Sequence, residues 1–216
     1  GIGNVEHNSI LVRYSNDFSI WDLESVNHYK DQSDIFFTCH EFSYNKIAEA
    51  YEPYLGLIRQ MFHKYCSGTL EEFMEECDVY KLQRPVFESY FENGFCERTE
   101  QILIDEVEYE QERMHSSIVT MLQKLSEICP IVIVLNRFQL ASKSTMQLTN
   151  RLLQTKNKNI GIVLGVNDVQ SIPEFAHEEW DAICESMDDR NMVYHIGNAG
   201  RNMEPDVMDY YSDYES

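Results

Sequence analysis

Residues 130–153, PIVIVLNRFQLASKSTMQLTNRLL, contain the pattern from which the predicted fold class follows. The first part is a short run of β-branched and other apolar residues, which is typical of a strand that is buried on both faces. The last part, residues 143–153, has the apolar spacing of a helix. A buried strand that leads through a short loop into a helix is typical of α/β folds.

Three further segments resemble this buried strand, residues 131–135, in length and composition. They are residues 34–39, 160–165 and 192–196. None of the four alternates between apolar and polar positions, so each is expected to be apolar on both faces. We therefore predict an α/β domain over residues 1–200, in which helices cover both faces of a parallel sheet.

The segments between these strands have mostly helical periodicity. Residues 54–65, which follow Pro53, have one apolar stripe and are predicted to be a helix. TLEE at residues 69–72 has the spacing of a capping box and predicts the start of a short helix. A longer helix is predicted to begin near Thr99. The sequence therefore predicts a helical insertion at about residues 45–128, between the first two strands. Residues 8–18 are also predicted to be helical. Residues 201–216 show no periodicity and are interpreted as an acidic tail or the start of a next domain.

The net charge of −20 disfavours some partners and compartments. It argues against nucleic acid and anionic membranes as partners, because both would repel the chain. No apolar run approaches the ~20 residues of a membrane-spanning helix. The six cysteines have no regular spacing, which favours a reducing, cytoplasmic location over a disulfide scaffold.

The order of these features resembles the STAND branch of AAA-type P-loop ATPases. Residues 130–153 are similar to the Walker B strand, loop and helix of that family, including Gln139 and Ser144, and residues 50–62 and 160–168 resemble two further family segments. The resemblance implies a P-loop NTPase-like fold that binds ATP. It also implies attached signalling domains, such as tetratricopeptide repeats and sometimes a GGDEF diguanylate cyclase domain, in large bacterial proteins.

The resemblance assigns nucleotide-binding candidates at the start of the chain. In the P-loop pattern G-x-x-x-x-G-K-[ST], glycines let backbone N–H groups surround the phosphates, and the lysine and hydroxyl bind phosphate and Mg²⁺. If Gly1 and Gly3 belong to this loop, Asn4 occupies the lysine position and Val5 the Ser/Thr position. The strand that precedes such a loop is central in the fold and is missing from the predicted elements, so we expect a truncated N-terminus.

Four residues depart from the family pattern at the positions that support hydrolysis. Asn136 replaces the aspartate that holds Mg²⁺, Arg137 replaces the acid that polarises water, and Ser142 replaces another acid. Asn167 replaces the arginine that senses the γ-phosphate, which makes it a nucleotide-binding candidate. Since hydrolysis depends on such groups, no intact catalytic site and no Mg²⁺ site are expected, although ATP remains a possible ligand.

Two interpretations of the replaced pair stay open. Arg137 could bind phosphate directly, as arginine does in bidentate pairs. Alternatively, Arg137 is an exposed loop residue and Asn136 is a strand-end residue that bonds locally to Ser142 or its neighbours, and we favour this second interpretation.

Histidine and cysteine residues offer a competing kind of site. No histidine spacing suits a metal, so no metal site is predicted. His40 is interpreted as a histidine at the margin of the core. A nucleophilic pair of Cys39 or Cys129 with His195 remains open, although an apolar strand would disfavour the thiolate.

Three functions follow from these observations. The first is a degenerate, hydrolytically inactive ATPase-like module that regulates a multidomain bacterial signal-transduction protein. The second is an ATP-binding switch with weak hydrolysis. The third is an acidic interaction domain without nucleotide, and residues 105–112, DEVEYEQE, are either a solvated helix face or its docking surface.

Overall fold

A computed structural model describes residues 9–15, 20, 26–27, 30, 32–94, 107–155, 157–167, 172–188 and 193–196. The candidates Gly1, Gly3, Asn4 and Val5 and the acidic tail, residues 201–216, lie outside the described residues. Within the described residues the chain is an α/β domain with an all-parallel sheet, as the sequence predicts.

The sheet has five strands in the order β2-β3-β4-β1-β5. Their bounds are β1 Ser9–Tyr14, β2 Phe36–Glu41, β3 Ile131–Asn136, β4 Ile160–Asn167 and β5 Val193–Ile196. All four strand pairs are parallel. The four predicted strands are therefore confirmed as members of one parallel sheet.

The prediction of a helix at residues 8–18 is wrong, because Ser9–Tyr14 forms strand β1. This strand lies between β4 and β5, so the sheet has an interior strand that the sequence pattern does not predict. The charge of Arg13 interrupts the apolar run and obscures the strand in the sequence. In the fold, the Arg13 guanidinium lies over the Trp180 ring at 5.8 Å and donates a hydrogen bond to Cys184 Sγ at 3.2 Å.

Six helices can be delimited in the described ranges, and all six contribute to the apolar cluster on one face of the sheet. They are α1 Tyr54–Tyr65, α2 Leu70–Glu76, α3 Arg84–Asn93, α4 Val107–Ile128, α5 Lys143–Gln154 and α6 His177–Asp188. Helices α1 to α4 all lie between β2 and β3, in the segment where the sequence predicts an insertion. The predicted capping box is confirmed, since Thr69 Oγ1 accepts a hydrogen bond from Glu72 N and Glu72 accepts one from Thr69 N.

Two apolar clusters lie on opposite faces of the sheet. The larger cluster joins the inward faces of helices α1 to α6 to strand residues such as Leu11, Ile133 and Leu135. The smaller cluster contains the alternate strand residues, together with two residues that follow β1: Val12, Val134, Val163, Ile20 and Val26. Burial on both faces is compatible with a three-layer α/β fold.

Within the described ranges, none of the helices combines the length and the apolar composition that crossing a membrane requires.

Candidate functional site

The carboxyl ends of the parallel strands bring four polar residues to one edge of the sheet. Tyr14 ends β1, Glu41 ends β2, Asn136 ends β3 and Asn167 ends β4. In the register of the ladders, Glu41 is the partner of Asn136, and Tyr14 is the partner of Asn167. Open α/β sheets bind ligands at this edge. The sheet therefore brings Asn136 and Asn167, two of the residues that the resemblance assigns, to the same edge.

Asn136 is a buried amide whose oxygen accepts two hydrogen bonds. Asn136 is only 6% exposed. Oδ1 accepts one bond from the Tyr14 hydroxyl group at 2.8 Å and one from the Arg137 backbone N–H at 3.0 Å. The expectation that Asn136 bonds to Ser142 or its neighbours is thus wrong: one partner is its immediate neighbour, and the other is on a distant strand.

Tyr14 is the residue of this edge that the sequence did not reveal. It is 3% exposed, and burial raises the pKa of its hydroxyl group, while the positive charge of Arg137 lowers it. A tyrosine with a raised pKa stays neutral at physiological pH and donates its proton to a hydrogen bond. Strand β1 places Tyr14 at the carboxyl edge, whereas the sequence pattern predicts a helix at this position.

Gly165 makes the contact between Tyr14 and Asn136 possible. Strand β4 separates β1 from β3, and Gly165 is the β4 residue that lies opposite Val12, two residues before Tyr14. A Cβ atom on Gly165 would lie 2.8 Å from Asn136 Oδ1 and 2.8 Å from Ile20 Cδ1. These distances are far shorter than real carbon contacts. The tyrosine hydroxyl group therefore reaches Asn136 across a strand that has no side chain at this position.

Arg137 lies on the outer side of the same edge. Its backbone is in the left-handed region, with φ 53° and ψ 42°. The side chain is 42% exposed, and its Nε atom lies 3.3 Å from Oε1 of Glu41, whose side chain is 47% exposed. The interpretation of Arg137 as an exposed loop residue is confirmed, and its carboxylate partner is one that the sequence did not suggest.

Ser142 has a structural task at the position where the family has an acid. It is the N-cap residue of α5, and its Oγ accepts a hydrogen bond from Thr145 N at 3.2 Å. The same hydroxyl group donates to the carbonyl oxygen of Glu49 at 3.2 Å, which ties α5 to the loop after β2. Since serine and aspartate are both good N-cap residues, this replacement preserves the start of the helix.

The glycine-rich candidates at the start of the chain stay a prediction. Gly1, Gly3, Asn4 and Val5 precede β1 in the sequence and lie outside the described residues. The connection between β1 and β2, residues 15–35, contains no glycine and one lysine, Lys30.

The cysteine and histidine residues do not assemble a nucleophilic pair around Cys39. Burial raises the pKa of the Cys39 thiol to about 11, so the reactive thiolate is scarce at neutral pH. Cys39 is in β2 and His195 is in β5, which are the two edge strands of the five-stranded sheet. Four strand spacings of about 4.8 Å place these two strands about 19 Å apart. Cys129 precedes β3, at the amino edge, with Sγ 3.5 Å from the Tyr65 hydroxyl oxygen.

His40 is at the margin of the core, as the sequence predicts. Burial lowers its pKa, and Glu52, whose Oε1 lies 3.7 Å from His40 Nε2, acts in the opposite direction. The ring also packs edge-on against Phe42 at 4.5 Å. Across the part of the chain that the structure describes, no group of three or more His, Cys, Asp or Glu residues has the arrangement of a metal site.

Comparison of the chain with protein-family models, with curated proteins and with solved structures finds no match. The class that the described residues define is an α/β domain with a parallel sheet whose carboxyl edge holds a buried tyrosine–asparagine contact.

Proposed function

We propose that the chain is a P-loop NTPase-like domain of the STAND type that does not hydrolyse ATP and serves as a regulatory module of a multidomain signalling protein. The strand order supports this proposal. In the P-loop fold the strand before the phosphate loop lies in the interior of the sheet, and β1, between β4 and β5, is an interior strand here.

The observation that carries the loss of hydrolysis is the bonding of Asn136. An amide oxygen has two lone pairs, and the hydrogen bonds from Tyr14 and the Arg137 N–H use both. Asn136 therefore cannot contribute an oxygen to Mg²⁺ without breaking one of these bonds. Because Arg137 is paired with Glu41, it also does not replace the acid that orients water.

Loss of the phosphate-binding residues favours the inactive module over an ATP-binding switch. Phosphate binding after a strand depends on backbone N–H groups that glycine makes accessible and on a lysine that neutralises charge. The connection from β1 to β2, residues 15–35, contains no glycine, and its single lysine, Lys30, is sixteen residues after the end of β1. The fold is thus proposed to be retained for its packing surfaces, while the nucleotide contacts of the family have been lost.

Titration with a fluorescent ATP analogue, with and without Mg²⁺, tests the inactive site. We expect no saturable binding and phosphate release at the background rate. Binding that strengthens with Mg²⁺, or phosphate release above background that Asn136→Ala abolishes, would favour the switch with weak hydrolysis. Magnesium-independent binding that Arg137→Ala removes would instead support direct contact of Arg137 with phosphate.

The regulatory role has a separate test in the reading frame of the gene. We expect the frame to encode at least one further signalling domain, such as tetratricopeptide repeats or a cyclase domain. A frame that encodes no additional domain would contradict the role in a multidomain protein and would leave the inactive site unaffected.

A further inference from the structure

Three residues of the helical insertion, Tyr80, Tyr109 and Arg113, are in contact at a surface that the proposed function does not use, and the exposed Leu82 is two residues after Tyr80. We call Tyr80, Leu82, Tyr109 and Arg113 the tyrosine–arginine patch. The guanidinium carbon of Arg113 lies 3.7 Å from the ring centroid of Tyr80 and 3.9 Å from that of Tyr109, so the two rings enclose it. Tyr80 and Leu82 come from the connection between α2 and α3, and the other two residues come from α4.

The apolar members of the patch are exposed. Tyr80 is 38%, Leu82 67% and Tyr109 58% exposed, and these are three of the six large hydrophobic residues that are exposed in the described part of the chain. Tyrosine and arginine are the residue types that dominate the energetics of protein interfaces. Several apolar side chains exposed together are typical of a binding surface, whereas single exposed ones are ordinary.

The patch is also ordered before any partner arrives. Gln83, next to Leu82, is buried, and its amide donates to the Glu110 carbonyl oxygen at 3.1 Å and accepts from Ser117 Oγ at 2.9 Å. These bonds attach the α2–α3 connection to α4. Arg113 donates to the Tyr109 hydroxyl group and to Glu110 in addition to its two ring contacts. A surface that is already rigid loses little side-chain entropy when it binds.

The charge around the patch favours a basic partner. Residues 54–128 contain 15 Asp or Glu residues and 7 Lys or Arg residues. Exposed carboxylates precede Tyr80 in the sequence. Among them, Glu71 and Glu76 are on α2, and Asp78 follows the end of α2. The cations nearby are largely compensated, since Arg113 pairs with Glu110 and Arg84 pairs with Glu75, while Lys81 is exposed.

We propose that the tyrosine–arginine patch binds a partner polypeptide segment that carries an apolar anchor side chain among lysine or arginine residues. The anchor would pack against Leu82 and the Tyr109 ring, and the flanking cations would face the carboxylates of α2 and α4. The acidic stretch that the sequence singles out, residues 105–112, contains Tyr109 and thus contributes directly to this surface. The interaction requires no nucleotide.

Binding of a synthetic amphipathic peptide of leucine, alanine and lysine tests the proposal, with fluorescence anisotropy as the measurement. We expect saturable binding that weakens as salt increases. The double variant Leu82→Ala/Tyr109→Ala should bind at least about tenfold more weakly, because interface anchors of this kind contribute most of the affinity. Circular dichroism and thermal unfolding verify that the variant remains folded.

Two controls make the test specific. A peptide of the same apolar pattern with glutamate in place of lysine should bind at least about tenfold more weakly, since its charge repels the surface. The variant Tyr44→Ala/Ile47→Ala removes two other exposed apolar residues, which are 56% and 93% exposed, and it should bind the lysine peptide normally. Failure of the lysine peptide to bind, equal binding of both peptides, or equal losses in both double variants would overturn the proposal. None of these results bears on ATP hydrolysis.

Discussion

The Tyr14 hydroxyl group donates a hydrogen bond of 2.8 Å to Asn136 Oδ1, although β4 separates the strands that carry these two residues. The contact crosses β4 at the side of the sheet where Gly165 leaves room for it. It joins β1, an interior strand of the sheet, to β3, the strand whose residues resemble the Walker B segment.

A double-mutant cycle measures the strength of this contact. Tyr14→Phe removes the donor and should lower the free energy of unfolding by about 1 kcal/mol, the usual value of a net hydrogen bond. Asn136→Ala leaves a buried hydroxyl and a backbone N–H without their acceptor and should cost about 2 kcal/mol or more. Urea unfolding should give a coupling energy of about 1 kcal/mol, whereas strict additivity would show that the two residues act independently.

Substitution of Gly165 tests the packing that surrounds the contact. Gly165→Ala should lower the free energy of unfolding by about 1–3 kcal/mol, because the added carbon would collide with both Asn136 and Ile20. Gly56 on α1 is the matched control, since a Cβ there would lie at an ordinary 3.5 Å from the Tyr90 hydroxyl oxygen. Gly56→Ala should be neutral or stabilise by up to about 1 kcal/mol. Equal losses in both variants would contradict the packing described here.

Substitution of Ser142 separates the start of α5 from catalysis. Ser142→Ala removes the N-cap acceptor and should cost about 1 kcal/mol of stability in thermal unfolding. Ser142→Asp keeps the cap and restores the acid of the family pattern. Its stability should be close to that of the parent chain, and its phosphate release should remain at background. Measurable hydrolysis in Ser142→Asp would mean that the remainder of a catalytic site is intact.

The buried histidine of α4 predicts a dependence of stability on pH. His115 is 6% exposed, and its ring packs edge-on against Tyr51. Burial lowers the pKa of His115 below 6.5. The charge of Glu112 raises this pKa, and the charge of Arg151 lowers it. Between this lowered pKa and about 6.5 the unfolded chain binds more protons than the folded one. The contribution of His115 to stability is therefore complete above about pH 6.5 and is lost as the pH falls.

Urea unfolding at pH 7.5 and 5.5 checks this sign. His115→Leu should lose less stability between the two pH values than the parent chain does, because the group whose protonation opposes folding is gone. The matched control is His63→Leu, which replaces an exposed histidine of α1. A pH dependence that His115→Leu leaves unchanged would contradict the prediction.

The sequence predicts the strands and helices that have continuous apolar runs or regular helical stripes. It does not predict β1, whose apolar run is interrupted by a charged residue. The apolar runs of β3 and β4 are continuous, and the stripes of α1 and α5 repeat with helical spacing, so these elements lie close to their predicted positions. In β1 the charged Arg13 interrupts the run, and its contacts with Trp180 and Cys184 exist only after folding. Without this strand, the sequence pattern predicts four strands where the sheet has five.

The sequence by itself determined that the chain is an α/β domain, that its strands are parallel, and that the amide residues Asn136 and Asn167 directly follow the apolar runs of β3 and β4. These properties follow from residue types and short-range periodicity, which remain the same before and after folding. Only the tertiary structure decided that β1 lies between β4 and β5, that the Tyr14 hydroxyl group bonds to Asn136, and that Tyr80, Tyr109 and Arg113 meet on one surface. Such contacts join residues that are far apart in the chain, and the geometry that brings them together comes from the order of the strands and the packing of the helices.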